Sequence, residues 1–495
     1  METPLQSSPP AHTPARLALC AVALATLSAC ANYSGIAPQA KPVDATSLPT
    51  PSATEAAALP QATWWTGFGD AQLNQLIDQA LASNPNLRLA QARVARAQAV
   101  GDLAASASLP QIGAGLDLTH QRFTAKGLYP YPVAGAVLDT GTLQATGSWE
   151  LDLFGKNSAA LKAAVGQARA AEADASAARM LLAANVARTY FSLVRIEAQL
   201  QVAQRTLDQR TQTLALVQDR VKAGLDTQLE QQQSESALPD ARMQIEALKE
   251  QKALALNALG ALTLQQNKLT ALVFTSQTAI KKIALPTSMP IGLLGRRADI
   301  AASRWRIEAT TQDAANAKAL FYPNINLVAM AGFSSIGIDK LLQTGSDQWA
   351  MGPAIRLPLF DGGRLRANLR SKTADVEAAI ESYNALVVDA VRDVADQLTS
   401  SQAIAKQQTE QAAAQASAES AYSIAVQRYQ AGLGNYLQVL AAETALLAQR
   451  RQAVDLAARA LDTQVQLIRA LGGGFQADTD PTNTPFSSVA QRTAP

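Results

Sequence analysis

Few residues in this chain could do covalent or acid–base chemistry. Its 495 residues include two histidines and two cysteines. His120 lies in a segment predicted to be a strand, where we expect a pore-facing or rim-facing polar residue and not a catalytic base. No metal-ligand spacing and no phosphate-binding loop is present, and the Asp and Glu residues are scattered as on solvated helix faces. The sequence therefore predicts no enzyme active site, no metal site and no cofactor.

Cys30 is the one side chain with a specific chemistry. Arg16 precedes the apolar run 17–27, which is too short for a membrane span and has the length of a signal-peptide core. The run ends in Leu-Ser-Ala-Cys (27–30), which resembles the lipobox of bacterial lipoproteins, where cleavage precedes the cysteine and its thiol receives diacylglycerol. We therefore predict acylation of Cys30. An ordinary cleavage site beside an incidental cysteine is the alternative.

Cleavage before Cys30 would also decide what the mature chain keeps. His12 and Cys20 would leave with the signal, so no thiol would remain for a disulfide or a metal site. Asn32 stands two residues after Cys30, at the position where an aspartate resembles a signal for inner-membrane retention. The outer membrane is therefore the expected destination.

The composition differs from that of an ordinary globular protein. Aromatic residues make up 5% and charged residues 17%, and long tracts consist mainly of Ala, Gln, Leu, Arg and Asp. Helices with so few large side chains would pack closely through small residues. The net charge of +2 and the lack of a Lys/Arg cluster argue against a nucleic-acid partner.

The chain contains an internal repeat. Four pairs of segments correspond, given as first and second copy: 84–90 and 297–303, 108–112 and 321–325, 153–154 and 359–360, and 223–225 and 431–433. Each half therefore predicts helix, strand, loop, strand, long helix, tip and long helix. We expect six parts: a lipoprotein signal peptide (1–29), a lipidated extended segment (30–63), the first repeat (64–263), a connector (264–295), the second repeat (296–472) and an irregular tail (473–495).

Alternation with a period of two marks the strands. In 142–154 the apolar side chains fall on one face and the polar ones on the other, and 347–360 alternates in the same way. Such segments are typical of transmembrane β-barrels, and Trp149 and Trp349 would lie in an interfacial aromatic belt. A half-buried strand of a soluble sandwich is the alternative. Since a spanning barrel needs about eight strands and this chain offers four, several chains would have to share one barrel.

The rest of the sequence predicts long helices. Two sets of apolar residues recur every seven positions: Val186, Leu193, Leu200, Leu207, Leu214 and Val221, and Leu433, Leu440, Leu447, Val454, Leu461 and Ile468. This period implies left-handed supercoiling against neighbouring helices. The stretch 157–222 would be roughly 100 Å long at 1.5 Å per residue. The remaining faces are polar, which favours a water-filled conduit, with a solid helical rod as the alternative.

The two copies of Ala-Gly-Leu would each end one long helix and begin its antiparallel partner. Gly224 and Gly432 fit the position just past a helix end, where the left-handed conformation costs glycine little. Thr227 with Glu230, and Asn435 with Gln438, have the spacing of a capping box for the next helix.

Several separate motifs can be compared with known families: the lipobox, WWTGFGDAQLNQLIDQAL (64–81), NPNLRLAQARVARAQA (84–99), WELDLFG (149–155), RRADIAASRWRIEA (296–309), PLFDGGRLRA (358–367) and RYQAGLGNYLQVLAAE (428–443). Together they resemble the TolC-like outer-membrane efflux factors, and more closely their NodT-type lipoprotein branch. The resemblance covers essentially all of the mature chain. It implies a mainly α fold with a small transmembrane β part and an internal duplication. Three chains of four strands each would form a twelve-stranded barrel that continues into a long periplasmic α-helical barrel.

The same resemblance implies a function, partners and site residues. The homotrimer would be the exit duct of a tripartite pump, joined to a periplasmic adaptor and an inner-membrane transporter, and anchored to outer-membrane lipid through acylated Cys30. The adaptor contact would fall on Ala223, Gly224, Leu225, Ala431, Gly432 and Leu433.

The chain departs from the family pattern at the aperture. The aspartates that the family often has after the second tip correspond here to Gln438 and Ala441, so an acidic, cation-binding constriction is not expected. Asp226, Glu230 and Glu443 are nearby but do not match those positions. Passive export of drugs or other small toxic compounds is the expected function, and a structural coiled-coil lipoprotein without transport activity is the alternative.

Overall fold

The computed structural model describes residues 33–43, 60–265, 272, 277, 280–284 and 293–475. Cys30 and the signal segment lie outside this range. The described chain divides into two compact units, each drawing on both halves of the sequence. The sheet unit falls within 1–42, 94–170 and 303–382, and the helical unit within 43–93, 171–302 and 383–495.

The part of the chain that the structure describes has eleven α-helices and strands, which follow the predicted order in both halves. The first half has α1 (Ala71–Ser83), α2 (Pro85–Ser106), β1 (Gln111–Arg122), β2 (Val137–Leu151), α3 (Lys156–Lys222) and α4 (Gln228–Thr263). The second has α5 (Ala298–Ala319), β3 (Asn324–Ile336), β4 (Asp347–Arg356), α6 (Arg364–Gln430) and α7 (Tyr436–Ala470). Short 3-10 helices occupy Trp64–Phe68, Leu293–Arg296 and Ile338–Lys340.

The sheet unit contains one antiparallel sheet in the order β1-β2-β3-β4. Each half supplies one hairpin, and β2 joins them by pairing with β3, for example Trp149 opposite Leu327. Strands β1 and β4 are the two edges, and neither edge has a partner strand among the described residues.

The strands end earlier than the alternating pattern predicts. Strand β2 stops at Leu151 and not at 154, and β4 stops at Arg356 and not at 360. The Asp152 carboxylate accepts hydrogen bonds from the backbone N–H groups of Asn157 (3.1 Å) and Ser158 (2.7 Å). Asp361 does the same for two N–H groups at the start of α6. Each aspartate therefore turns the chain into the long helix, because it satisfies N–H groups that a helix start leaves free.

The helical unit has its core around α1 and the middle of α3. Phe68, Leu73, Ile77 and Tyr190 are buried there against the last turns of α7. Asp70 caps α1 by accepting hydrogen bonds from two backbone N–H groups, and its carboxylate also accepts a hydrogen bond of 2.7 Å from the hydroxyl of Tyr190. The heptad residues nearest this core, such as Val186 and Ile468, are fully buried, whereas Leu433 lies in a turn and is exposed.

Candidate functional site: the helix tips and the strand faces

The two turns between long helices have the same backbone. Gly224 and Gly432 adopt left-handed φ angles of 73° and 72°. At the first turn, Leu225 N–H donates to the carbonyl of Arg220 and Gly224 N–H to that of Val221. The second turn repeats both bonds at positions 433→428 and 432→429. This pattern is a Schellman motif, which ends a helix by satisfying its last carbonyls.

The helices that follow the turns begin differently. Thr227 accepts the N–H of Leu229, and Glu230 accepts the backbone N–H of Thr227 at 2.9 Å, which completes a capping box. The Thr227 hydroxyl also donates to the Glu230 carboxylate, and this hydrogen bond, together with those from the backbone N–H groups of Glu230 and Thr227, lowers the pKa of Glu230. Asn435 accepts the N–H of Gln438 at 3.1 Å, and within the described chain Gln438 makes no return bond.

Both tips expose the same pair of leucines. Leu225 and Leu229 at the first tip are 64% and 62% exposed, and Leu433 and Leu437 at the second are 70% and 63% exposed. The left-handed glycine before Leu225 and Leu433 fixes the direction in which each of them leaves the helix. Equivalent apolar side chains are therefore presented twice, on rigid turns.

A polar cluster fastens the first tip to the second hairpin. Asp226 accepts hydrogen bonds from Arg220 (Nε 2.8 Å and Nη2 3.3 Å) and from the hydroxyl of Tyr429. Arg220 also donates to the carbonyl of Tyr429 at 3.0 Å and lies 4.5 Å from the centre of its ring. The side chains of Arg220 and Asp226 are 12% and 10% exposed. We call Arg220, Asp226 and Tyr429 the tip cluster.

The tip cluster shifts the pKa of each of its members. Burial raises the pKa of Asp226, but the hydrogen bonds from Arg220 and Tyr429 and the guanidinium charge outweigh it, so the net pKa is lowered. The hydrogen bond to Asp226 raises the pKa of Arg220. Burial and the Asp226 carboxylate raise the pKa of Tyr429. The cluster therefore holds one ionised pair and one neutral hydroxyl at neutral pH.

The sheet has one apolar and one mainly small, polar face. The exposed apolar side chains on the first face are Ile112, Leu116, Leu118, Val137, Trp149, Leu327, Phe333, Trp349, Met351 and Ile355. The opposite face is mainly small or polar, with Gly113, Gly115, Thr142, Gln144, Thr146, Ser148, Gly332, Gly352 and Ala354, and Val328 and Met330 are apolar exceptions on it. Such a sheet can stand between lipid and water.

The two tryptophans lie on the apolar face toward different ends of the sheet. Trp149 is close to the helix-side end of β2, and its Nε1 donates to the carbonyl of Ser108 at 3.0 Å. Trp349 is close to the loop-side end of β4. Their positions agree with two separate belts, which stay a prediction.

Comparison with known proteins identifies the family. A sequence profile described as outer membrane efflux protein matches residues 76–263 and 292–473. The chain belongs to the outer membrane efflux protein family. The multidrug resistance outer membrane protein MdtQ of Escherichia coli is 32% identical over 461 residues, which are 90% of this chain and 96% of MdtQ. The fusaric acid resistance protein FusA of Burkholderia cepacia is 37% identical over 375 residues, 74% of this chain and 70% of FusA.

A solved structure agrees with this assignment. The outer membrane protein VceC of Vibrio cholerae superposes with a TM-score of 0.80 at 37% identity, covering 84% of this chain and all of VceC. The resemblance to efflux factors and the predicted fold class, mainly α with a small β part, are confirmed. This efflux protein is an outer-membrane channel that extends into the periplasm and serves as an export duct. Within the described residues no helix has the length and apolarity of a bilayer span.

The acidic residues near the tips of this efflux channel are engaged within the chain. Glu443 is buried and receives the Nε of Arg210 at 3.0 Å, and the same guanidinium donates to the carbonyl of Ala237 at 2.8 Å. Asp226 belongs to the tip cluster, and Glu230 to the capping box. Gln438 and Ala441 are exposed on another face of α7 from Glu443. Gln438 and Ala441 have no carboxylate, so an acidic aperture at these two positions is still not expected.

His120 is not part of a catalytic group in the described chain. Its Nδ1 lies 2.7 Å from the carboxylate of Asp139, its neighbour across the β1–β2 pair. Both residues share the apolar face with Leu118, at the end of the strands where the β1–β2 loop begins. This register favours the rim position over the pore-facing one, and the rim position stays a prediction.

Sequence reasoning missed the tip cluster. Arg220 has an equivalent in the second copy, Arg428, but Tyr429 corresponds to Val221 and Asp226 to Gly434. The cluster therefore uses positions at which the two copies differ. A comparison of the two copies at the positions where they differ could have indicated the tip cluster from the sequence.

Proposed function

We propose that this channel passively exports drugs or other small toxic compounds as the outer-membrane part of a tripartite pump, with no catalytic step of its own. The observation that carries the proposal is a sheet with one exposed apolar face, one mainly small and polar face and, among the described residues, two edges without a partner strand. The substrate class is supported by MdtQ and FusA, which are named for multidrug and fusaric acid resistance. Selection among substrates would belong to the inner-membrane transporter.

Assembly of several copies is supported by the sheet edges, and the family resemblance gives their number as three. The edge N–H and C=O groups of β1 and β4 must find partners in lipid, where each unpaired group costs several kcal/mol. Pairing β4 of one copy with β1 of the next satisfies both edges. Three copies would give the twelve-stranded barrel that the family resemblance implies.

Docking of the periplasmic adaptor is proposed for Ala223–Leu225 and Ala431–Leu433. It is supported by Leu225 and Leu433, which are exposed at equivalent places on two rigid turns. A partner with apolar side chains would remove both from water, and burial of one leucine contributes about 1.5–3 kcal/mol. Repetition of the site on every copy would add avidity.

The docking proposal is tested by replacing both leucines with serine. Leu225→Ser with Leu433→Ser should reduce adaptor cross-linking and drug resistance while the trimer persists. Leu128→Ser is the control, because Leu128 is also an exposed leucine but lies in the β1–β2 loop. Gly432→Pro should abolish export as well, since proline cannot adopt a φ of 72°. Normal adaptor cross-linking in the leucine variant would contradict the proposal.

Acylation of Cys30 is proposed from the lipobox alone, since this residue lies outside the described range. Cells fed radiolabelled palmitate should label the wild-type chain and not the Cys30→Ser variant. Persistent labelling of the variant would refute the proposal.

Transport itself is tested in a deletion strain. Loss of the channel should raise intracellular accumulation of toxic compounds and lower resistance, and the purified oligomer should conduct ions in planar bilayers. Unchanged accumulation together with no conductance would favour a structural spacer lipoprotein instead.

A further inference from the structure

The joint between strand and long helix occurs twice, and in one copy an aromatic ring from the other half of the chain packs on it. Phe154 follows β2 and stacks on Tyr322, which precedes β3, with ring centres 4.9 Å apart and planes 10° from parallel. The hydroxyl of Tyr322 also lies 3.3 Å from that of Tyr33. A residue of the second half therefore packs on the first joint and covers part of it, which leaves Phe154 40% exposed.

The second copy of the joint has a leucine where the first has Tyr322, and among the described residues its two side chains make no such contact. Phe360 is the repeat equivalent of Phe154, and Leu109 is the equivalent of Tyr322. In the described chain Phe360 is 92% exposed and Leu109 is 60% exposed. The two side chains that could form such a contact, Phe360 and Leu109, are thus both present and both exposed.

The neighbouring helices show the same asymmetry. Helix α5 packs tightly on α3, since a Cβ added to Gly166 would lie 3.0 Å from the Cβ of Ala309. Asn316 of α5 also donates to the carbonyl of Lys156 at 2.7 Å. Helix α2 is the repeat equivalent of α5, yet Leu103, which corresponds to Asn316, is 71% exposed.

The open parts lie at the two edges of the sheet. Leu103 and Leu109 come before β1, and Phe360 comes after β4. These are the two edge strands, whose outer sides have no partner strand in the described chain. A second copy brought to either edge would therefore present the missing half of the joint.

We propose that Phe360 of one copy packs on Leu109 of the next, with Leu103 of that next copy against the start of α6. The contact repeats between chains what Phe154 and Tyr322 do within one chain. It rests on the homotrimer of the proposed function and names where the copies meet outside the strands. Protein is the expected occupant, because the equivalent joint is partly covered by protein; lipid is the competing occupant.

Cysteine cross-linking tests this contact in native outer membranes. Phe360→Cys with Leu109→Cys, treated with a short bis-maleimide, should give covalent dimers and trimers. Phe154→Cys with Tyr322→Cys is the matched control and should link only within one chain. Phe360→Cys with Leu128→Cys, and each single variant, should give no covalent oligomer.

A second experiment avoids reliance on the double variant. Full-length chains with only Phe360→Cys are co-expressed with chains with only Leu109→Cys, and the mixed trimers should cross-link. Non-specific glutaraldehyde cross-linking and drug resistance report trimer formation and export separately. Glutaraldehyde trimers and normal resistance without any 360–109 product would overturn the joint and leave the proposed function standing. Absence of trimers and of resistance in the wild-type chain would overturn both.

Discussion

Tyr429→Phe removes one hydroxyl from the tip cluster and leaves the buried ring in place. Tyr429 is 1% exposed, and its hydroxyl donates to the carboxylate of Asp226, which Arg220 holds from the other side. Phenylalanine keeps the apolar packing and the Arg220 contact with the ring face. The change therefore isolates the Tyr429–Asp226 bond, because the bond from Arg220 to the Tyr429 carbonyl remains.

The expected effect follows from the charge of the acceptor. A hydrogen bond to a charged group contributes about 1.5–3 kcal/mol, and a neutral one about 0.5–1.5 kcal/mol. At about 1.4 kcal/mol per factor of ten, Tyr429→Phe should raise the open population of the first tip about 10- to 150-fold. Tyr436→Phe, in the same apolar cluster but bonded to neutral Ser234, should raise it only about 2- to 12-fold.

Hydrogen exchange measured by mass spectrometry on peptides around 216–230 reports this opening directly. Tyr429→Phe should accelerate exchange there more than Tyr436→Phe does. A double variant with Asp226→Asn should be non-additive, because both changes act on the same bond. Equal exchange in the two tyrosine variants, or full additivity, would refute the role given to the Tyr429–Asp226 bond.

Further predictions concern two pairs of glycines and the effect of pH. Gly472→Ala should destabilise the helical unit far more than Gly224→Ala, as measured by thermal unfolding. Both glycines have a positive φ, at which an alanine costs about 1–2 kcal/mol. Only at Gly472 would the added Cβ also lie 1.9 Å from a backbone carbonyl oxygen. Gly332→Ala should impair sheet assembly, since its Cβ would lie 2.1 Å from a carbonyl oxygen, whereas Gly352→Ala meets open space and should yield normal heat-resistant oligomer on gels. The lowered pKa of Asp226 contributes tip stability that is present above the unfolded value of about 4 and is lost as pH falls through the folded value. After correction for intrinsic exchange, tip protection should therefore be flat from about pH 5 to 9 and fall only in stronger acid.

Much of the fold could be predicted from the sequence because its signals are local. The alternation in β2 and the seven-residue period in α3 and α7 identify the elements, and the repeat orders them. The exact strand ends could not be predicted, since Leu153 continues the alternation while Asp152 already caps the next helix. At Asp152 the side-chain hydrogen bonds that cap α3 therefore end the strand before its alternating pattern does.

The candidate site divides in the same way. The left-handed glycines and the Thr227 capping box depend on residues within one or two turns of each other, so their spacing in the sequence predicts them. The burial of Glu443 on Arg210 depends on residues from different helices. Sequence spacing shows that an acid is near the tip but not which way it points.

The sequence by itself therefore determined the family, the element order and the form of each turn, because periodicity, glycine conformation and capping act over a few residues. Only the tertiary structure decided which of the two duplicated copies is partly covered and which acids are paired. Asp226 and Tyr429 meet across about two hundred residues of chain, and Phe154 meets Tyr322 while its equivalent Phe360 does not meet Leu109. Duplication makes the two copies of the joint alike in sequence. In the open sheet, however, one joint lies beside the central strands β2 and β3, whereas the parts of the other lie beside the edge strands β1 and β4.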